Sequence, residues 1–217
     1  MANSMIHFNN DILCAIDTET TGFTHGFHEI VQLAIVPLDS NIIPRTDVPS
    51  LDIFISPDYP ERWSKKAKNV INKVDLQKIL KIGIDREKAK DVLSDWIDKL
   101  DIPMSSGGVY RKRIVPLGYN YQFDLGHMLD WLGDDLYTEW FGHDYRDCYR
   151  YVLSRNDEAA MDNAPKIPFP KTTLTSVASR LEIDTEYAHN ALQDCIMTAE
   201  VYRKLTTQKT WRSLCGR

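Results

Sequence analysis

AIDTETTGF, residues 15–23, follows the apolar run ILC and carries two carboxylates two residues apart, Asp17 and Glu19. Successive side chains of a β-strand point to opposite faces, so both carboxylates leave the same face. Their repulsion is relieved by protonating one of them or by a divalent cation between them, and oxygen ligands suit Mg²⁺ or Mn²⁺. Alone, the pattern is more typical of a solvated loop edge than of a metal site, so the metal hypothesis depends on further acidic residues.

The composition predicts a soluble globular protein. With 217 residues, of which 43% are hydrophobic and 26% charged, we expect a single domain over residues 1–217. The sequence lacks both a run of about 20 apolar residues and a signal peptide, so we expect an intracellular, cytoplasmic protein without membrane contact. The net charge of −5 argues against a protein that coats nucleic acid, but not against an enzyme that holds one end of it. The four cysteines include no CxxC pair and are expected to be thiols.

Hydrophobic periodicity predicts an α/β layer fold with a mixed sheet. Three strands, expected as a meander, are predicted over residues 12–17, 29–38 and 51–56, and a fourth over 114–119. Helices are predicted over residues 68–80, 86–100, 122–132, 144–157, 173–181 and 188–205. Asn120 is the expected N-cap of the third helix, and Thr172 or Thr173 that of the fifth.

A second acidic candidate lies in GYNYQFDLGHM, residues 118–128, where Asp124 falls in the first turns of a helix that leaves a buried strand. A carboxylate at that position is favoured by the helix dipole. An ordinary helix-start acid is the alternative. The strand-to-helix junction could nevertheless bring Asp124 to the sheet edge that holds Asp17.

A third candidate is HNALQDCIMTAEVY, residues 189–202, in which His189 precedes Asp194 by five residues. On a regular helix this offset separates the two side chains by about 140°. Both therefore reach one site only if His189 lies on the loop that enters the helix. A capping histidine and a surface acid are the alternatives, although Asp194 lies close to the apolar stripe, where a charge needs a partner.

Taken together, the stretches IDTETTGF, EIVQLAIV, GYNYQFDLGHM, KTTLTSVASRLEI and HNALQDCIMTAEVY resemble, in order and separation, the DnaQ-like 3′–5′ exonucleases of the DEDDh type. The resemblance spans residues 12–205. It implies a ribonuclease H-like mixed β-sheet flanked by helices. The acidic set of the family maps onto Asp17, Glu19, Asp124 and Asp194, with His189 as the fifth member.

The resemblance also implies a mechanism with two Mg²⁺ or Mn²⁺ ions about 3.5–4 Å apart, which activate a water and stabilise the leaving 3′-oxygen. Asp17 would bridge the ions. Glu19 and Asp194 would complete the water-activating ion, and Asp124 would act on the other ion directly or through water. His189 would accept the proton of the water.

By motif alignment, the turn after the first motif implicates Thr20 and Phe23 in holding the 3′-terminal nucleotide. Phe23 could stack on a base, since aromatic faces bind bases without reading sequence. A core phenylalanine after a turn is the alternative. The chain departs from many relatives at two places: Tyr119 replaces a histidine, and the segment 82–84 reads Ile-Gly-Ile instead of His-Gly-Ile.

Basic residues outside the acidic set could contact the phosphate backbone. The preferred candidates are Arg111, Lys112 and Arg113, at the expected tip of a hairpin, followed by the lysines of residues 65–68. An ordinary solvated face is the alternative for either group.

The leading functional hypothesis is a metal-dependent 3′–5′ exonuclease that releases nucleoside 5′-monophosphates from single-stranded DNA ends, in proofreading or end-trimming. A polymerase or another replication or repair protein is the expected protein partner. The enzymatic alternative is an exoribonuclease of the same fold, which would accommodate a 2′-hydroxyl beside the first-motif turn. Two non-enzymatic hypotheses compete with these: a catalytically silent nucleic-acid-binding module and a structural cation-binding protein.

Overall fold

A five-stranded mixed sheet forms the centre of the computed structural model, with strand order β3-β2-β1-β4-β5. The strands are β1 (Ile12–Thr20), β2 (Ile30–Pro37), β3 (Leu51–Phe54), β4 (Ile114–Gly118) and β5 (Arg146–Asp147). The first three form the predicted antiparallel meander, and β4 and β5 continue parallel to β1. The structure describes residues 11–65, 67, 76–100, 102, 104, 108, 113–186, 188–208 and 210–214.

Helices cover both faces of this sheet, which confirms the predicted α/β class. They are α1 (Leu76–Ile82), α2 (Arg86–Asp98), α3 (Gln122–Leu132), α4 (Asp134–Trp140), α5 (Cys148–Met161), α6 (Leu174–Arg180) and α7 (Ala191–Thr207). Short 3₁₀ turns follow β3, at Pro60–Arg62, and α7, at Trp211–Leu214. Among the described helices, none is both long and apolar enough to cross a bilayer.

The central strand β1 is buried on both faces, and its alternate residues belong to different helical layers. Ile12, Cys14 and Ile16 pack with residues of α2, α3 and α4. Leu13 and Ala15 pack with residues of α5, α6 and α7. By the same alternation, residues 17 and 19 face the α7 layer and residue 18 faces the α3 layer. The register of β1 therefore decides which helix each functional residue meets.

Two boundary predictions were wrong, and one helix was missed. Tyr121, not Asn120, is the N-cap of α3, and Asn120 instead lies in the left-handed region at φ 62°, which asparagine tolerates. The predicted helix over residues 144–157 starts only at Cys148, because residues 146–147 pair with β4 as a short strand. The short helix α4 was not predicted at all.

Other boundaries agree with the sequence or differ by a few residues. Thr173 is the N-cap of α6, as predicted. The last helix begins at Ala191, with Asn190 as its N-cap, and not at residue 188. Of the helix predicted over residues 68–80, residues 68–75 lie outside the described part of the chain. Cys14, Cys148 and Cys195 are buried free thiols, as predicted, and Cys215 lies outside the described residues.

Asp147 ties the strand β5 to the turn that precedes α3. Its Oδ1 accepts hydrogen bonds from the backbone N–H of Tyr149, as the N-cap of α5, and from that of Asn120 at 2.8 Å. The carboxylate is buried and satisfies two backbone donors that would otherwise lack a partner. This contact holds the turn that carries Asp124 into α3.

We therefore expect Asp147→Ala to lower the free energy of unfolding by about 2 kcal/mol, because it removes an N-cap and a second buried hydrogen bond. Asp147→Asn keeps one side-chain carbonyl oxygen and should lose less. Urea unfolding of the two variants beside the wild type measures both effects. Equal stability of Asp147→Ala and wild type would contradict this role.

Candidate active site

Three of the predicted acidic residues converge at the carboxyl half of β1. Asp17 and Glu19 leave β1 on the face covered by α7, and Asp194 lies in the first turn of α7. One carboxylate oxygen from each of the three lies within 4.8 Å of the others. Glu19 is 4% exposed, and Asp17 and Asp194 are half-buried. An all-carboxylate set this close, with access from solvent, fits the ligand preference of a hard divalent cation.

Asp124 approaches the same strand from the opposite face. Its Oδ1 accepts hydrogen bonds from the backbone N–H of Thr18 at 3.0 Å and from the Thr18 hydroxyl at 2.7 Å. The structure therefore fixes this carboxylate to the residue between Asp17 and Glu19. Asp124 does not share the cluster of close oxygens formed by the other three acids. The sequence indicated that Asp124 could reach the sheet edge that holds Asp17, but it did not indicate that Thr18 would bind the Asp124 carboxylate.

His189 lies on the loop that enters α7, as its offset from Asp194 requires. It has a left-handed backbone, at φ 70°, which is uncommon outside glycine and often marks a functional position. Its backbone N–H donates to both carboxylate oxygens of Asp194, at 3.3 and 3.2 Å. The loop and the acid are thereby held together, and a catalytic role of the imidazole stays a prediction.

Burial and mutual repulsion raise the pKa values of these acids. Burial raises the pKa of Glu19 to about 8, and the charges of Asp194 and Asp124 add to the effect. Burial, followed by the charges of Asp124, Asp194 and Glu19, holds the pKa of Asp17 well above its usual range. Burial also raises the pKa of Asp124 to about 7, although the hydrogen bonds from Thr18 oppose the rise. A bound cation would compensate the same charges that otherwise retain protons.

Gln32 is a positioning residue that sequence reasoning missed. It is fully buried in β2, opposite Glu19 in the antiparallel register. Its Nε2 donates to Asp52 at 2.8 Å, and its Oε1 accepts from the backbone N–H of Ala191 at 3.5 Å. Gln32 therefore links β2 to the first residue of α7, close to Asp194. The available signal was a polar residue within the otherwise apolar strand IVQLAIVP.

The two residues predicted to hold the terminal nucleotide differ in exposure. Thr20 is buried, and its hydroxyl donates to the Gly22 carbonyl oxygen at 2.7 Å, which closes the turn after β1. Phe23 is 46% exposed, and its ring lies 6.2 Å from that of Phe123 in α3. The alternative of a core phenylalanine is therefore wrong. The structure leaves the role of both residues in nucleotide binding as a prediction.

The predicted basic tip lies largely outside the described residues. Arg113 is described and exposed, whereas Arg111 and Lys112 fall in the part of the chain that the structure does not describe. Of the lysines in residues 65–68, only Lys65 is described, and it is exposed. Contacts of these side chains with phosphate stay predictions.

Comparison with known proteins identifies the fold. No protein-family model and no curated protein sequence matches this chain. Among solved structures, it is similar to Escherichia coli exonuclease I in a zinc-bound complex with single-stranded DNA, at a TM-score of 0.65 and 18% identity over 95% of this chain. It is also similar to the same enzyme with a 5cy-dT13 oligonucleotide, at a TM-score of 0.68 and 16% identity over 94%.

A third similar structure is cell-death related nuclease 4, CRN-4, at a TM-score of 0.64 and 18% identity over 91% of this chain. The chain spans 42% of the length of exonuclease I and 64% of that of CRN-4. At these identities, the comparisons establish the ribonuclease H-like fold, in agreement with the sheet order and with the resemblance seen in the sequence motifs.

The raised pKa of Glu19 predicts how stability depends on pH in the absence of metal. In the unfolded chain, Glu19 releases its proton near pH 4.5, whereas in the fold its pKa is about 8. Between these values the native state binds more protons, so the free energy of unfolding falls as pH rises. Glu19→Gln does not ionise in this range, so its stability relative to wild type should rise by about 3.5 kcal/mol from pH 5 to pH 8.

Urea unfolding in EDTA at pH 5, 6, 7 and 8 measures this difference for the two proteins side by side. EDTA removes trace cations, which would otherwise stabilise the wild type selectively. A stability difference that stays constant over this range would show that Glu19 is not protonated in the native state at neutral pH.

Proposed function

We propose that this chain is a metal-dependent 3′–5′ exonuclease of the DEDDh type, which releases nucleoside 5′-monophosphates from single-stranded DNA ends. The observation that carries the proposal is the convergence of Asp17, Glu19 and Asp194 at one end of the central strand. A fold shared with exonucleases supports it, and so does the presence of all five residues of the catalytic set. We further propose that the exonuclease domain occupies residues 1–217.

The carboxylates are the ligands that would hold Mg²⁺ or Mn²⁺. Asp17, Glu19 and Asp194 offer the close oxygen set, and Asp124, hydrogen-bonded to Thr18, offers a further carboxylate beside Asp17. Two divalent cations bound there would supply Lewis-acid polarisation of the phosphate and a water of lowered pKa. Thr18 and Gln32 would keep the ligands on β1, α3 and α7 in register.

Among the remaining residues, His189 is the proposed general base. An imidazole titrates near neutral pH and can accept the proton of the attacking water. The contact between its backbone and the Asp194 carboxylate keeps the loop beside the metal ligands. The turn of Thr20 to Phe23 continues directly from Glu19 and would hold the terminal nucleotide, with the half-exposed ring of Phe23 available for stacking.

DNA is the proposed substrate because the solved structures of exonuclease I contain single-stranded DNA, dT13 and dA13 among them. An exoribonuclease on the same fold is the competing possibility. Matched 5′-labelled DNA and RNA oligonucleotides, incubated with Mg²⁺, Mn²⁺ or EDTA, distinguish them. We expect stepwise shortening of the DNA only with metal. Faster shortening of RNA would replace the DNA assignment.

The double variant Asp17→Ala, Glu19→Ala should lose metal-dependent hydrolysis and still fold, because removing like charges relieves repulsion in the apo site. Gel analysis of the labelled DNA measures activity, and circular dichroism measures the fold. The matched control replaces two exposed acids of α4, Asp134→Ala and Glu139→Ala, and should retain activity. Turnover by the Asp17, Glu19 variant would refute the site.

His189→Ala should reduce the single-turnover rate of hydrolysis by roughly 10²–10⁴-fold, because a positioned general base contributes about that factor. His143→Ala is the matched control, because His143 is exposed. It follows α4 and lies near the amino end of β4, which is the end of the sheet opposite the acids. Single-turnover rates from pH 6 to pH 9 measure the effect and its pH dependence. A rate for His189→Ala equal to that of His143→Ala would assign His189 a structural role.

A further inference from the structure

Two exposed aromatic rings flank an arginine on loops beside the proposed active site. The guanidinium carbon of Arg62 lies 3.7 Å from the ring centroid of Tyr59 and 5.0 Å from that of Phe27. Tyr59 and Phe27 are 46% and 47% exposed. We call these three residues the aromatic–arginine platform. It is distinct from Phe23, whose ring lies against Phe123 in α3.

Hydrogen bonds of the buried residue Glu29 fix the loops of the platform to the end of β1. The Glu29 carboxylate accepts from the backbone N–H groups of Asp58 and Tyr59, at 3.2 and 2.9 Å, and pairs with Arg86 at 3.2 Å. The Glu29 backbone N–H donates to the Thr21 hydroxyl at 2.9 Å, and its carbonyl oxygen accepts from the Thr21 N–H at 2.8 Å. The loop of Phe27 and the loop of Tyr59 therefore share one anchor.

That anchor is close to the metal ligands. Thr21 is two residues beyond Glu19, so their Cα atoms lie at most about 7 Å apart. On the other side, the Ser64 N–H donates to the Thr21 carbonyl oxygen at 2.8 Å, which ties down the chain just after Arg62. The platform thus lies at the same end of the sheet as the acidic cluster. A single strand of nucleic acid that leaves the active site can reach it.

The chemistry of the platform fits a single-stranded polyanion. Exposed aromatic faces stack on any base, and arginine contacts phosphate while it stacks on a ring. In the described part of the chain, Arg62 takes part in no ion pair, whereas Arg45, Arg86 and Arg155 each pair with a carboxylate. Arg62 therefore keeps its charge available on a protein whose net charge is −5.

We propose that the aromatic–arginine platform binds the single strand 5′ of the terminal nucleotide, with bases stacked on Tyr59 and Phe27 and a phosphate at Arg62. This inference rests on the proposed function for the direction of the strand. The binding is independent of sequence, because stacking and phosphate contacts do not read base edges. It supplies affinity that grows with strand length beyond the terminal nucleotide.

Fluorescence anisotropy with 5′-labelled dT12, in EDTA to prevent hydrolysis, tests the platform. Tyr59→Ala should weaken binding by about 5- to 100-fold, the range for loss of one stacked base. Arg62→Ala should also weaken binding, through loss of one phosphate contact. Tyr59→Phe keeps the ring and should bind within about 2-fold of wild type. The control is Arg212→Ala, another arginine over an aromatic ring, 4.9 Å from that of Trp211. It lies on the 3₁₀ turn after the carboxyl end of α7, and that end is about 20 Å along the helix axis from Asp194.

Salt titration separates the two contacts. Arg62→Ala should reduce the slope of log affinity against log salt concentration by about 0.7, the value for one phosphate on a single strand. Tyr59→Ala should leave the slope unchanged. The platform would be overturned if Arg62→Ala and Tyr59→Ala bound dT12 as tightly as Arg212→Ala does. It would also be overturned if the wild type failed to bind dT12.

Failure of the platform and failure of the proposed exonuclease give different results. Normal metal-dependent shortening of DNA together with unaffected binding by Arg62→Ala would reject the platform alone. Weakened binding by Arg62→Ala, without shortening of any strand by the wild type, would reject the exonuclease and retain the platform as a nucleic-acid-binding surface. Thermal unfolding of each variant confirms that it is folded before binding is compared.

Discussion

Repulsion among closely spaced carboxylates at the end of β1 is the constraint on which the site depends. Asp17, Glu19 and Asp194 lie together, and the charge of Asp124 acts on Asp17 from the other face of the sheet. Without a bound cation, the mutual repulsion of these carboxylates is unfavourable, so other parts of the fold must hold them together. Burial of β1 on both faces helps to hold them, since a shift of one residue would exchange every side chain between the two helical layers.

Polar contacts also hold the carboxylates in place, and each contact connects two different elements of the fold. Thr18 joins β1 to α3 through Asp124, Gln32 joins β2 to α7, and the backbone of His189 closes the loop onto Asp194. None of these groups adds a negative charge to the site. The acids are therefore positioned by neutral groups, which hold the geometry without adding to the repulsion that a bound cation would offset.

The sequence predicted the features that follow from regular periodicity. The alternation of β1 put Asp17 and Glu19 on one face. The five-residue offset required His189 to lie before the helix of Asp194 if both were to reach one site, although the predicted helix began at residue 188 and so included it. Features that depend on tertiary contacts could not be predicted from the sequence. The strand β5 has two residues, too few for a periodic pattern, and exists through pairing with β4. Asn120 was read as a cap because local propensity favours it, but the buried Asp147 carboxylate binds its N–H and holds it in a turn.

If this acidic protein binds a polyanion, as proposed, the attraction must come from local sites on its surface. Long-range electrostatics oppose association at a net charge of −5, and the acidic cluster itself repels phosphate until cations are bound. Stacking on exposed rings does not depend on net charge, and a cation that pairs with no local carboxylate attracts phosphate only at short range. The half-exposed Phe23, Phe27 and Tyr59 and the guanidinium of Arg62 lie on loops anchored at the end of β1. Such an arrangement would favour a strand that is already in contact with the loops, in keeping with the proposed exonuclease.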